Sequence, residues 1–574
     1  MERQEGRILK SQFPDVDVPE ISVNDFLEQH SWLNKPQDSI AVIGRSVGPP
    51  DASKEWRLSY RELRESVRRV ASGLARRGLR KGDVVFVCSS NCPEYVITML
   101  AVYSLGAVLT SAISGSSVDE ILYKLGIAKF CGTVKFLVVS SDELTTARKL
   151  VEVTRPECPP EYTIWIDRDG SSQHCGHNQE RLIFTDHASV DKECIPFNDL
   201  LEDSGDAFPK TNRAESGDLA VVLYSSGTTG PPKGIPWTHK QLVANLCTVS
   251  CVNMRQEDVV LVSSPQAFGG GMYLTLHSLA QGAVTLSLPN LSNPGQYSAA
   301  INKYKVTYTC CLSPLIVSLV KQGYELPTLQ RCDASGGSCS PAVIREARIT
   351  HPHLIINSKF FGMSEVGSVI GAPAETDQDH DTRGCLLGKP LANTQIKVVD
   401  AITKKLLPPG VAGEMCVHNP YNVLRGYINN PEATARAIDS DGWLHTGDLV
   451  QYDDDGFIYY MDRLKDIIRI VPDKSTTIQV SPSEMENILM SHPGVGDVAV
   501  TGIPDPDNEG YELIRAFVVR KTDTLSAEDL IEFVKEKTPR KYVTLTGGAR
   551  FLKNIPKNLT GKNMRSELQA QAYE

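Results

Sequence analysis

Between Tyr224 and Gly234 the chain reads Tyr-Ser-Ser-Gly-Thr-Thr-Gly-Pro-Pro-Lys-Gly, three glycines and four small hydroxyl side chains around one lysine. Such a stretch turns tightly and aims N–H and O–H donors at a polyanion, with Lys233 as a point charge. The apolar run Leu219 to Leu223 before it reads as a strand and Gln241 to Cys247 after it as the start of a helix, the setting of a phosphate-binding loop. The G-x-x-x-x-G-K-[ST] spacing is not met, because Gly234 follows Lys233 where a metal-binding hydroxyl would stand. Further along, Phe361-Gly-Met-Ser-Glu365 sets a carboxylate beside a hydroxyl at a glycine turn, oxygen ligands of the kind Mg²⁺ takes when it bridges phosphates. By itself an acid there is as readily the first-turn residue of a helix. Trp443-Leu-His-Thr-Gly-Asp448 ends in a carboxylate suited to accept two ribose hydroxyls, or to close a turn.

The elements that must position these residues alternate. Apolar residues Leu63, Val67, Val70, Ala71 and Leu74 recur at helical spacing up to Gly78, a strand follows from Asp83 to Cys88, another helix begins near Pro93, and Val134 to Ser140 is again strand-like. Alternating strands and helices mean a layered α/β architecture with largely parallel sheets. Tyr95 to Ser114 carries no charge and is long enough to cross a bilayer, but Gly106 divides it into a buried helix and a buried strand. A β-rich section is expected from Gly388 to Tyr460, and a compact α+β unit after Met461. The fold class is therefore α/β: a large multi-subdomain N-terminal domain over residues 1–461 that includes the β-rich section, a hinge over 462–466, and a small mobile α+β domain over 467–574.

A chain of 574 residues exceeds a single core, and 41% hydrophobic with 22% charged residues is an ordinary globular composition. The net charge of −10 leaves no basic stripe for a nucleic acid. Fourteen scattered cysteines and a polar Met1 to Lys10 are expected of reduced thiols in the cytoplasm, and the ending Gln-Ala-Tyr-Glu differs from a peroxisomal Ser-Lys-Leu. His174-Cys175-Gly176-His177 has no second ligand pair at zinc-like spacing.

The string at 224–234 resembles the phosphate loop of the adenylate-forming superfamily: acyl-CoA synthetases, 4-coumarate-CoA ligases, beetle luciferases and adenylation domains. The resemblance runs from about Ser59 to Leu568, with its segments in family order. It implies nucleotide binding by Ser225, Ser226, Gly227, Thr228, Thr229, Gly230 and Lys233. Phe361, after the pair Gly336-Gly337, would pack on adenine beside Gly337 and Gly362; Ser364 would touch the α-phosphate and Glu365 would serve Mg²⁺. Asp448 and Arg463 would hold the ribose and Lys465, in Asp462-Arg-Leu-Lys-Asp466, would be the pivot. Pro556-Lys-Asn-Leu-Thr-Gly-Lys562 resembles the family's P-K-x-x-[ST]-G-K, with Lys562 stabilising charge as a carboxylate attacks the α-phosphate. An acid-pocket lining of Ser250, Phe268, Gly270, Leu274, Gly336, Phe360, Met363 and Val369 follows by the same correspondence; it is apolar and fits a medium-chain, branched or aryl acid.

The implied enzyme joins a carboxylic acid to CoA through an acyl-adenylate, using ATP and Mg²⁺. Two departures bear on the thiol step: the stretch Ile468 to Glu484 is longer than in CoA-using relatives and lacks glycine, and His418-Asn419 stands where Arg-Gly is usual. Transfer to a carrier protein, luciferase-like oxygenation or a non-catalytic nucleotide sensor are the alternatives, and oligomeric state is left open.

Overall fold

The structure is a computed structural model that describes residues 5–32, 36–45, 55–140, 162–166, 193–209, 213–225, 231–249, 254–289, 291, 293–335, 341–357, 360–371, 385–473, 476–538, 543–557 and 563–571. Ser59 starts the helix Tyr60–Arg76 with a reciprocal capping box to Glu62, satisfying donors the first turn leaves open. The uncharged run beyond it becomes the fully buried helix Pro93–Ser104 and the strand Val108–Ala112. Gly106 between them has φ +65°, a backbone state that breaks the helix at small cost only for glycine. Among the described residues no helix is long and apolar enough to cross a membrane.

Two seven-stranded sheets form the N-terminal α/β layers. In the first, Gly234–Thr238, Leu219–Tyr224, Val108–Ala112, Val84–Cys88, Val134–Ser140, Tyr162–Ile166 and Glu193–Pro196 lie side by side, parallel except for the first pair. In the second, Ile355–Asn357, Arg331–Ser335, Tyr308–Leu312, Val259–Val262, Val284–Ser287 and Ile40–Arg45 run parallel, with Glu55–Ser59 antiparallel at the edge. Helices such as Gly269–Ala280 pack between the sheets, and one apolar cluster joins Val85, Tyr95, Trp237 and Leu276.

An eight-stranded antiparallel sheet makes the β-rich section, in the order Leu9–Lys10, Gln395–Val399, Gly413–His418, Leu444–Tyr452, Ile458–Arg463, Cys385–Pro390, Gly367–Gly371 and Phe360–Met363. The smaller C-terminal domain holds the pair Ile468–Asp473 and Thr476–Val480, a three-stranded sheet of Val495–Pro504, Glu512–Arg520 and Ala549–Phe551, and the helices Pro482–Met490 and Ala527–Lys537. Its core is separate: Ile468, Val480, Met485, Val500, Val518 and Val534 bury one another.

Candidate active site

Ser225 and Lys233 tie the two ends of the loop together. Ser225 N–H donates to the Lys233 carbonyl at 3.1 Å, and Lys233 N–H donates to Ser225 Oγ at 3.0 Å. The chain does not pass straight into a helix: Gly234–Thr238 first pairs back on Leu219–Tyr224, and the helix His239–Val249 follows. Ser226, Gly227, Thr228, Thr229 and Gly230 lie outside the described residues, as do Ser250, Gly336, Gly337, Lys562 and the stretch 174–177.

Glu365 does not start a helix. It sits in the turn between the antiparallel strands Phe360–Met363 and Gly367–Gly371. That turn is pinned from two sides, by Trp237 Nε1–H donating to the Ser364 carbonyl at 2.8 Å and Leu424 N–H donating to the Glu365 carbonyl at 2.8 Å. Gly367 closes it at φ +66°, where an added Cβ would fall 2.2 Å from Asn245 Nδ2. The Glu365 carboxylate accepts the Tyr427 hydroxyl at 3.0 Å through Oε1. Lys233 Nζ lies 4.9 Å from the centroid of the same tyrosine ring. Burial, and then the Glu365 charge, push the Tyr427 hydroxyl pKa well up, so the tyrosine stays a donor. One ring thus links the loop lysine to the acidic turn.

Asp448 and Arg463 are partners in register on the adjacent strands Leu444–Tyr452 and Ile458–Arg463. Arg463 Nε meets Asp448 Oδ1 at 2.9 Å, and Arg463 Nη1 donates to the Thr446 carbonyl at 3.1 Å. Thr446 Oγ1 accepts from Asp448 N–H at 3.1 Å and donates to the Met415 carbonyl at 2.8 Å, which fixes the turn. Next along the chain, Asp462 Oδ2 accepts from Ser481 Oγ at 2.7 Å and from Ser483 N–H at 2.9 Å, joining the last strand of the β-rich sheet to the helix Pro482–Met490. Lys465 is exposed, and partial desolvation lowers its pKa. Arg565 bridges Glu486 at 2.7 Å and Asp466 at 3.5 Å.

Most of these groups border one cleft of about 2570 Å³. Ser225, Lys233, Ser364, Glu365, Asp448 and Arg463 face it, with Lys465 at its C-terminal side. Phe360, Phe361, Gly362 and Met363 form part of the wall, and so do Phe268, Gly270 and Leu274. Lys557, Asn563 and Arg565, flanking position 562, border it as well.

Val369 does not belong to the wall. It is fully buried with Val398, Met415 and Val417, because every residue of Gly367–Gly371 is buried and this one points into the β-rich core. Nor is the lining wholly apolar. Asp333, whose carboxylate accepts the Tyr308 hydroxyl and whose pKa burial raises, and His277 both face the cleft.

Tyr427, Trp237 and Arg565 are not marked by the sequence. Tyr427 directly follows the Arg425-Gly426 pair, the one hint available for it. Asn419 is a turn residue, with Oδ1 accepting Tyr421 and Asn422 N–H and Nδ2 donating to Thr394, so its departure from Arg-Gly has a local structural use. Glu414, Cys416 and His445 bring donor atoms of metal-ligand type within 4.8 Å of one another. Glu414 is already paired with Lys404 at 2.9 Å, and His445 Nε2 lies 3.6 Å from Asp439.

The AMP-binding enzyme family matches residues 29–428, and the AMP-binding enzyme C-terminal domain matches 484–562. The chain belongs to the adenylate-forming superfamily. Within that superfamily it is 31% identical to 4-coumarate–CoA ligase 4 of Arabidopsis thaliana, over 98% of this chain and 94% of the relative. It is equally 31% identical to 4-coumarate–CoA ligase-like 4 of Oryza sativa subsp. japonica, over 98% of this chain and 95% of the relative. Among solved structures, ATP-bound MatB from Rhodopseudomonas palustris superposes with a TM-score of 0.77 at 23% identity, over 96% of this chain and 99% of MatB. The adenylate-forming fold accounts for the whole layout, with the cleft bounded by the N-terminal layers, the β-rich sheet and the smaller C-terminal domain.

Proposed function

We propose that this protein is an acid–thiol ligase that activates a carboxylic acid with ATP and passes the acyl group to CoA. One observation carries the reading: Lys233, Glu365 and the Asp448–Arg463 pair, far apart in sequence, converge on a single cleft. Lys233 would neutralise phosphate charge, Phe361 would cover the adenine, and Ser364 would hold the α-phosphate. Asp448, beside the Arg463 guanidinium, would accept the ribose hydroxyls. The Glu365 carboxylate, held through one oxygen by Tyr427, has the hard-oxygen chemistry that suits Mg²⁺, and the cation would offset phosphate charge there. Carboxylate attack on the α-phosphorus forms the acyl-adenylate and expels pyrophosphate; thiolate attack on the acyl carbon then releases AMP and leaves the thioester. The work is positioning and electrostatics.

In this reading residues 1–461 hold the nucleotide and the acid, 462–466 is the hinge with Lys465 as pivot, and 467–574 turns to bring Lys562 to the reacting phosphorus and withdraw it. The long stretch after the hinge forms the antiparallel pair Ile468–Asp473 and Thr476–Val480, so its extra residues extend a hairpin. The acid class is medium-chain, branched or aryl.

The test is release of pyrophosphate and AMP from Mg-ATP across such acids, with and without CoA. Both products appearing only with one acid and CoA supports the ligase. Acyl-AMP that accumulates regardless of CoA points to another acceptor.

A further inference from the structure

Position 562 lies between Lys557 and Asn563, and these two described residues pair as an antiparallel bridge. Met564 N–H donates to the Pro556 carbonyl at 2.9 Å just outside them. Lys557 Nζ meets Asp497 Oδ2 at 2.6 Å and Asn563 Nδ2 donates to the Val498 carbonyl at 3.4 Å, so both ends of the segment stand on the strand Val495–Pro504. Arg565, three residues past Lys562, reaches further. Its Nε donates to the Val500 carbonyl at 3.1 Å, its Nη2 donates to Glu486 Oε1 at 2.7 Å, and its Nη1 lies 3.5 Å from Asp466 Oδ2. One guanidinium thus joins that strand, the helix Pro482–Met490 and Asp466, the residue after Lys465.

The contacts are firm on the Glu486 side. The side chains of Arg565 and Glu486 are 19% and 17% exposed, so water screens their attraction weakly. Glu486 Oε1 also accepts Val500 N–H at 2.9 Å, which fixes the carboxylate that the guanidinium grips. A part-buried ion pair is in itself weak evidence for stability. What sets this one apart is its place: Asp466, Glu486, Asn563 and Arg565 all border the cleft, and the acceptors sit on separate segments. Lysine is a point charge on a flexible four-carbon stem, so where its ammonium arrives depends on how firmly the backbone beneath it is held. Misplacing a reacting group by about 1 Å costs on the order of a hundredfold in rate.

We propose that Arg565 is a positioning residue for the adenylation step: it ties the segment that carries Lys562 to Asp466 at the hinge exit and to Glu486, and so sets where the lysine arrives at the reacting phosphorus. The proposal rests on the ligase reading and on the role of Lys562 within it. Rotation about Lys465 then reaches the Lys562 segment through one side chain as well as through the core of the small domain. The thioester step, which does not use Lys562, does not need the tie.

The test separates the two steps in the full-length protein, with whichever of decanoate, isovalerate and cinnamate the wild type turns over fastest. Pyrophosphate release with ATP varied reads adenylation, and thioester formation from supplied acyl-adenylate and CoA reads the second step. Arg565→Gln is expected to lower kcat for adenylation by about thirty- to a hundredfold, with KM for ATP and the second step within about threefold of wild type. Arg565→Lys, which grips one acid at a time, should recover part of the rate. Asp466→Asn weakens the hinge contact, leaves the Glu486 bond, and should cost about three- to tenfold in the same kcat. Should the Gln variant fail to fold, as judged by circular dichroism, the Lys and Asn variants carry the test. An unchanged adenylation kcat in Arg565→Gln overturns the proposal, and so does an equal fall of both steps, which marks a purely structural pair. If the wild type makes acyl-adenylate but does not pass it to CoA, the split between kcat and KM for ATP decides in the same way. Full adenylation by Lys562→Ala defeats the inference and leaves the ligase reading standing. If no acid in this or a broader panel releases pyrophosphate from the wild type, both fail.

Discussion

Arg463 Nε lies 2.9 Å from Asp448 Oδ1, across two strands whose register places the residues opposite each other. Asp448 is 1% exposed, and that guanidinium sets an opposite charge against its buried carboxylate. Asp448→Asn keeps the shape and removes the charge. KM for ATP is expected to rise at least about tenfold, since the ribose loses a charged acceptor and Arg463 its partner. Steady-state kinetics with ATP varied checks this, and an unchanged KM would sink the ribose assignment.

Tyr427 has two jobs that separate by mutation. Tyr427→Phe removes the donor to Glu365 and keeps the ring beside Lys233. The Mg²⁺ concentration for half-maximal pyrophosphate release should shift about three- to tenfold. Tyr427→Ala also removes the cation–π contact and should weaken ATP binding further. Titrating Mg²⁺ and ATP independently tells the two effects apart.

Lys562→Ala is expected to abolish acyl-adenylate formation while leaving thioester formation from supplied acyl-adenylate measurable. Full forward adenylation by that variant would remove Lys562 from the first step.

His239 gives a pH dependence of stability. It is fully buried, its Nδ1 accepts Val23 N–H at 3.3 Å, and burial lowers its pKa from 6.5 to about 4. The unfolded chain therefore takes up the proton first as pH falls. Stability is complete above about pH 6.5 and is lost between there and about pH 4, by up to ~3 kcal/mol. Thermal melts of wild type and His239→Gln across that window should converge at low pH as the variant's profile flattens.

The helix–strand alternation was legible because amphipathic helices such as Tyr60–Arg76 carry a clear period and a capping box at Ser59. The acidic turn and the Thr-Gly-Asp segment stood out through their resemblance to the superfamily's segments, since local chemistry alone left a helix start or a plain turn open. Gly234–Thr238 was not, because a glycine and Pro236 argue against a strand; it is the edge of its sheet, where proline costs no ladder bond. Val369 was misplaced because Gly367–Gly371 is buried on both faces, so no alternation marks which side meets the cleft.

The turn that carries Glu365 also bears on how this chain can diversify. With φ at +66° and buried Asn245 in the space an added Cβ would take, position 367 strongly favours glycine. In a library randomised there and selected for adenylation, glycine should dominate the survivors. Most single-step neighbours of such a position in sequence space are closed. Lineages that change their acid are expected to move through other wall positions, and the acidic turn stays the same while the substrate drifts.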